Sequence, residues 1–244
     1  MRLTRLLLAL ILCGLALPAA AQPQPDFQFR PKRFSLGVHV GLDVPQQQSD
    51  IYDFFKDVLT LDSRDFRALL VGGDFSVRLA ERADLFFSVD TARSDADSEY
   101  RRFVDNKGLP IEQNTTLRQT TSTLGLRLYP LPRGQRIGSY AYIPSRFQPY
   151  VGGSVGINRW NLQQTGDFVD FQTFAVFPDY FFATGTTLTS EVLAGTHLGI
   201  TRWLQVSLEG RYRFGTDDLS DDFVGFDPID LSGASGLVAL RLVF

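Results

Sequence analysis

Between residues 33 and 44, apolar and polar side chains alternate without exception. Phe34, Leu36, Val38, Val40, Leu42 and Val44 share one parity; Arg33, Ser35, Gly37, His39, Gly41 and Asp43 share the other. Period two describes a strand with one apolar and one polar face, and it does not fit a helix. The pattern recurs along the chain. Leu69, Val71, Phe75, Val77 and Leu79 alternate with Asp74 and Arg78, and Leu85, Phe87 and Val89 with Asp90. Leu124, Leu126 and Leu128 alternate with Arg127, Val151, Val155 and Ile157 with Gly152 and Ser154, and Leu188, Val192 and Leu198 with Glu191 and His197. Leu204, Val206, Leu208, Tyr212 and Phe214 face away from Glu209, Arg211 and Arg213, and the last run sets Val238, Leu240, Leu242 and Phe244 against Arg241. These runs suggest eight strands, each about 9–13 residues long, enough for a tilted strand to cross a bilayer.

Two kinds of fold can use such strands. A soluble sandwich or lipocalin-like barrel buries the apolar parity and leaves the polar one wet. A membrane barrel turns the apolar parity to lipid and encloses the polar one. The polar parity combines glycines with opposite charges: Asp43, Asp74, Arg78, Asp90, Arg127, Glu209, Arg211, Arg213 and Arg241. Small and paired charged residues suit a narrow lumen filled by side chains. Lysine occurs only at positions 32, 56 and 107, so the cationic partners are guanidinium groups, which pair well when buried. The expected fold is an all-β, eight-stranded antiparallel transmembrane up-and-down barrel.

The amino terminus reads as an export signal. Arg2 and Arg5 precede an apolar run from Leu6 to Leu17 and the small-residue stretch Pro18-Ala19-Ala20-Ala21. That order describes a signal peptide, residues 1–21, cut before Gln22. Its apolar run is too short to span a bilayer as a helix. Residues 22–32 follow as a short periplasmic lead, and residues 33–244 as the barrel. Cys13 lies within the signal, so the mature chain has no thiol for a disulfide or a cysteine metal site. Losing two arginines leaves 22 basic residues against 27 acidic ones, a net charge of −5 with no basic stretch that would suit nucleic acid.

Short connections at residues 80–83 and 201–203 point to one end of the barrel, together with a longer one from Pro130 to Ser145. Four longer connections point to the other: Pro45 to Phe66, Arg93 to Asn114, Asn161 to Thr186 and Gly215 to Pro228. Short turns belong on the periplasmic side and long loops outside.

The last run, ending on Phe244, resembles the closing strand of Gram-negative outer-membrane barrels. Gln148-Pro149-Tyr150-Val151-Gly152-Gly153 and Leu208-Glu209-Gly210-Arg211-Tyr212 resemble strands of the small eight-stranded family that includes the OmpA membrane domain, OmpX and OmpW. The resemblance implies an outer-membrane location and contact with outer-membrane lipid and lipopolysaccharide. It also implies delivery by periplasmic chaperones to the assembly machinery, with Leu240, Leu242 and Phe244 as the assembly signal, and a monomer. It does not imply a single activity, because members of this family do different things.

Candidate chemistry is sparse. His39 and His197 both fall on the inward parity, as core histidines would, although a hydrolytic set with Ser35 or Ser76 and Asp43 or Glu191 is the alternative. Neither a cofactor nor a metal is expected. Phe168, Phe171, Phe174, Phe177 and Tyr180 recur every third residue and form either an apolar loop face open to a ligand or a small loop core with part of an aromatic girdle. Ile51, Phe54, Phe55, Val58 and Leu59 predict a short amphipathic helix resting on the outer leaflet. Asp217, Asp218, Asp221, Asp222, Asp227 and Asp230 predict a solvated acidic loop that divalent ions can bridge loosely to lipopolysaccharide phosphates. The expected function is non-enzymatic, an envelope structural or surface-interaction role carried by the external loops. A narrow channel for small hydrophobic compounds is the alternative, and a lipid-modifying enzyme the third reading.

Overall fold

The computed structural model describes residues 30–138, 141–219 and 221–244. The signal segment and the first residues of the lead lie outside the described residues. Eight long strands close into one antiparallel barrel: β1 (Phe34–Pro45), β2 (Ala68–Ala80), β3 (Ala83–Val104), β4 (Pro110–Leu128), β7 (Phe147–Val169), β8 (Val176–Gly199), β9 (Leu204–Phe214) and β12 (Gly233–Val243). The order around the wall is β1-β12-β9-β8-β7-β4-β3-β2, and the seam pairs Val38 with Leu240 and Leu36 with Leu242. All eight alternating runs of the sequence are strands of this wall.

The parity resolves as the membrane version of the fold. Leu36, Val38, Leu42, Leu69, Leu124, Val155, Leu188, Val192 and Leu240 are all exposed on the outside, whereas Asp43, Asp74, Asp90, Arg127, Arg213 and Arg241 are buried within. A sheet in water does the reverse. Phe34 packs against Phe75 and Phe244 with ring centroids 6.1 Å apart, the beginning of an aromatic rim at the end where β1 begins and β12 finishes. Among the described residues no helix is long and apolar enough to cross a membrane.

The strands fall into two lengths, and the difference corrects the expected loop boundaries. β1, β9 and β12 have 11 or 12 residues and β2 has 13, about one membrane crossing each. β3, β4, β7 and β8 have 22, 19, 23 and 24 residues, nearly twice that. These four are neighbours in the wall, so their far halves form one continuous four-stranded sheet standing beyond the apolar belt. Most of the stretches expected as the second and third loops are therefore strand. Phe168 pairs with Phe177 and Asn161 with Thr184, and Asp97 pairs with Asn114. The outward residues there are polar (Arg93, Asp95, Asp97, Asn114, Arg118, Asn161, Gln163), so these segments carried no lipid-facing alternation by which to recognise them.

The remaining elements are small. Helix α1 (Asp50–Val58) has Asp50 and Asp53 in its first turn and Lys56 in its last, the order the helix dipole favours, and the Leu59 N–H closes it on the Phe55 carbonyl. β5 (Gly134–Ile137) and β6 (Ala141–Pro144) make a hairpin inside the long connection between β4 and β7. That hairpin accounts for the length of the connection. β10 (Thr216–Asp217) and β11 (Ile229–Asp230) pair within the last external loop.

Candidate functional site

Alternation sends every second residue of each strand into the lumen, and eight strands leave an interior narrow enough for side chains to fill. Three layers follow one another along the axis. In the middle lies a buried ion network. Arg241 Nη2 donates to both oxygens of Asp74 at 2.9 and 2.8 Å, and Arg127 Nη1 donates to the same carboxylate at 3.1 Å. Arg127 Nη2 lies 3.3 Å from Glu209, which accepts the Tyr150 hydroxyl at 2.6 Å and pairs with Arg211. Arg211 reaches Asp90 at 2.8 Å, and Asp90 also holds His39 and the Ser88 hydroxyl. Towards the outside, Arg213 binds Asp43 at 3.1 Å, and Asp43 accepts Ser235.

Eight of the nine charged residues picked from the sequence thus meet in paired, buried contacts. The ninth, Arg78, does not belong: it sits at the barrel rim, half-buried, with its guanidinium 5.7 Å above the Tyr142 ring and its N–H groups on the Ala80 and Glu81 carbonyls. Its strand position is inward, but β2 ends there. His39 and Glu191 complete the set, and both carry the same inward parity that marked the others. Glu191 accepts the Ser154 hydroxyl at 3.1 Å.

Buried charge is tolerated only with close partners, and close partners leave no space. The void left among His39, Asp74, Arg127, Tyr150, Glu209, Arg211 and Arg241 is about 10 Å³, room for one water at most. Gly72 makes the packing possible. A Cβ there would lie 2.3 Å from Asp90 Oδ1 and 2.6 Å from His39 Nε2.

The outer layer is an apolar plug. α1 does not rest on the leaflet as expected. Ile51, Tyr52, Phe55 and Leu59 point into the barrel mouth and are fully buried with Phe66, Leu117, Trp160, Leu162, Phe223, Ile229 and Leu231. The inner face of the tall sheet offers these apolar positions, so the helix has more area to bury there than on lipid headgroups. The acidic loop serves the same plug. Asp217 accepts the Trp160 indole N–H at 2.6 Å, Asp222 accepts the Phe182 N–H at 3.0 Å, and buried Asp230 accepts the Gln48 and Ser232 N–H groups. Burial raises the pKa of the Tyr52 hydroxyl, which donates to the Asp230 carbonyl. Among the described residues no group of three or more His, Cys, Asp or Glu is arranged to hold a metal.

The aromatic series does not form one face. Phe168 is buried and Phe177 lies opposite it on the inward parity; Tyr180 points outward, stacked on Phe182 at 5.9 Å. Phe171 and Phe174 sit in the turn against Phe103. Strand geometry splits a period of three between two faces, and a helix or turn would have kept it together. Outside, the tall sheet presents Asp97, Glu99, Glu112, Asn114 and Thr165 around an open depression of about 450 Å³.

The third layer is at the end where β1 begins and β12 finishes. Asp84 is held by Arg133 at 2.7 and 2.8 Å and by the Tyr129 hydroxyl at 2.8 Å. Tyr129 in turn meets His197 Nε2 at 3.2 Å, and His197 Nδ1 meets the Ser207 hydroxyl at 2.6 Å. Both histidines are therefore lumen residues bound by neighbours, remote from lipid.

An apolar outer belt, a closed antiparallel wall and a charge-paired lumen define a transmembrane β-barrel of the Gram-negative outer-membrane type. Solved structures of low sequence identity are similar to the chain. Neisserial surface protein A shares 12% identity with a TM-score of 0.45, covering 90% of this chain and 98% of that one. OprG, an outer membrane protein of Pseudomonas aeruginosa, shares 13% with a TM-score of 0.46, covering 88% and 97%. Ail, the attachment invasion locus protein of Yersinia pestis, shares 11% with a TM-score of 0.45, covering 88% and 100%. No family model matches the sequence, and no curated relative does.

Proposed function

We propose that this is a non-conducting, non-enzymatic outer-membrane protein with an envelope structural and surface-interaction role, its contacts made by the four-stranded sheet above the membrane. The observation that carries this reading is the contrast between the two halves of the barrel. Inside the belt, the lumen is filled by paired charges with a void of about 10 Å³ and is plugged above by the core around Phe55 and Trp160. Beyond the belt, the sheet continues in register from Asp97 opposite Asn114 to Phe168 opposite Phe177, a rigid platform of polar side chains with no counterpart on the other strands. Transport through the lumen needs space that the first half lacks. Surface contact needs a stable display, which the second half supplies.

The same reading assigns partners. Leu240, Leu242 and Phe244 form an outward, exposed row on the closing strand, accessible to the assembly machinery before the barrel seals. Outer-membrane lipid covers the belt, lipopolysaccharide surrounds the base of the sheet, and the protein acts as a monomer.

Planar-bilayer recording tests the reading together with adhesion by whole cells. The expected result is no conductance steps, and a loss of adhesion when residues 96–113 and 164–181 are replaced by short turns while the heat-modifiable band persists. Stepwise conductance by the intact protein, or adhesion unchanged by both replacements, would overturn it.

A further inference from the structure

The outward face of the tall sheet changes character row by row above the belt. Val89, Ser122, Ile157 and Leu188 lie side by side across β3, β4, β7 and β8 and form its last largely apolar row. The next row is Thr91, Thr120, Arg159 and Thr186, and the one beyond it is Arg93, Arg118, Asn161 and Thr184. Three arginines thus occupy the first two polar rows, all of them exposed. Arg93 and Arg118 are direct cross-strand partners, and Arg159 is the diagonal neighbour of Arg118. On the far wall the belt ends differently, with Tyr212 and Phe214 closing it on β9.

Like charges directly opposite each other on a sheet repel. Arg93 is paired with Asp95 at 2.6 Å, but among the described residues the side chains of Arg118 and Arg159 make no ion pair and no hydrogen bond. The acids begin one row higher, where the Asn114 amide donates to both Asp95 and Asp97. A molecule lying against this face meets apolar side chains first, then guanidinium groups flanked by hydroxyls and an amide. That order fits an amphiphile with its acyl chains on the belt and its anionic headgroup at the arginines. Guanidinium forks match phosphate oxygens in geometry as well as charge, and every cation in these rows is an arginine. We propose that Arg118 and Arg159, together with Arg93, bind the phosphorylated disaccharide headgroup of lipopolysaccharide, the anionic lipid of the outer leaflet. The proposal rests on the reading that lipopolysaccharide surrounds the base of the sheet, and it names the residues and the side of the barrel that make the contact.

Native mass spectrometry of the full barrel, released from nanodiscs containing bisphosphorylated lipid A, scores the lipid retained. The wild type is compared with Arg118→Gln/Arg159→Gln and with Arg102→Gln/Lys107→Gln, which removes as many charges from the exposed tip of the β3–β4 hairpin. Heat modifiability checks the folding of both variants. The expected result is retention by the wild type and the tip variant, weakened about tenfold or more in Arg118→Gln/Arg159→Gln. Lipid A stripped of its phosphates should be held no better by the wild type than by that variant. Equal retention by all three proteins would overturn the site while leaving lipopolysaccharide as the lipid at the base of the sheet. Equal loss in the two variants would overturn it as well, because net charge alone would then account for binding. No retention by any of them would overturn both the site and the reading on which it rests.

Discussion

Arg241 and Asp74 face each other through two hydrogen bonds of 2.9 and 2.8 Å although 167 positions separate them in the chain. Their strands, β12 and β2, are not neighbours; β1 lies between them. The two side chains meet over Gly37, where a Cβ would stand 2.7 Å from Asp74 Oδ1. The pair can therefore form only when the first and last strands have closed the wall, and it locks the seam from inside.

Asp74→Asn is expected to lower barrel stability by about 3–5 kcal/mol, the usual cost of removing one partner from a buried ion pair. Both Arg241 and Arg127 would lose their carboxylate, and Arg127 would keep only Glu209. Urea titration of the folded, fast-migrating gel band in detergent reads this as a lower midpoint. An unchanged midpoint would mean that the lumen is wet enough to solvate both guanidinium groups.

The network also depends on the absence of side chains. Gly72→Val puts a branched group where Asp90 and His39 meet, whereas a Cβ at Gly236 would have no heavy atom within 4 Å. The first variant is expected to lose heat modifiability or to fold in low yield, and Gly236→Ala to fold as the wild type does. Equal yields for the two would show that the Asp90–His39 contact is dispensable.

How much of this was legible in the sequence follows from where one physical rule operates. Within the belt, lipid on one side and packed charge on the other force strict alternation, so Phe34 to Val44 or Leu204 to Phe214 could be assigned residue by residue. Above the belt, water replaces lipid outside and the inward parity is mixed, Ala92 with Ser94 or Leu162 with Gln164, so Arg93, Asp97 and Gln163 face no uniformly opposite set. The tall sheet accordingly reads as loops in the sequence. The inward charges share a parity visible in the chain, so their meeting could be expected, but where β2 ends, and with it the placement of Arg78, could not be read from parity. Helical spacing in Ile51, Phe54, Phe55 and Val58 gave the helix. Its partner could not be read, because the mouth it fills is built from Leu117, Trp160, Leu162 and Ile229 on distant strands.

Phe55→Ala should loosen that plug without opening the wall. Phe55 is fully buried and meets Phe66 and Phe223 edge-on or stacked at 6.4 Å, and such truncations cost about 3–5 kcal/mol where they cannot relax. The expected result is faster proteolysis between Pro45 and Phe66 with the heat-modifiable band retained. A helix lying on the membrane would show no such change.

The base of the tall sheet should respond to acid. The Asn114 amide donates to Asp95 and Asp97 at 2.8 Å, and this bond, with the Arg93 ion pair, holds the Asp95 carboxyl below its ordinary pKa. A lowered folded-state pKa stabilises the hairpin fully above the unfolded value of about 3.9 and is lost as pH falls through the lower folded value. In an NMR titration from pH 5 downwards, the Asn114 side-chain NH₂ signals should hold their positions through pH 4 and shift below it. A midpoint at or above the ordinary carboxyl value would remove the role given to Asn114.

The upper edge of the lipid belt can be located on a single strand. Along the outward parity of β7, Val151, Val155 and Ile157 give way to Arg159, Asn161, Gln163 and Thr165, so lipid contact should end between Ile157 and Arg159. A cation facing lipid near the bilayer midplane costs about 2–4 kcal/mol in such barrels, and the cost vanishes towards the interface. Val155→Arg is therefore expected to lower the urea midpoint markedly in phosphatidylcholine bilayers, and Gln163→Arg to leave it within error, although both positions carry the same parity and lie on the same strand. Because neither side chain enters the lumen, neither substitution touches the ion network, and the difference between them reports lipid alone. Similar losses at both sites would place the tall sheet inside the membrane and remove the platform on which the surface role rests.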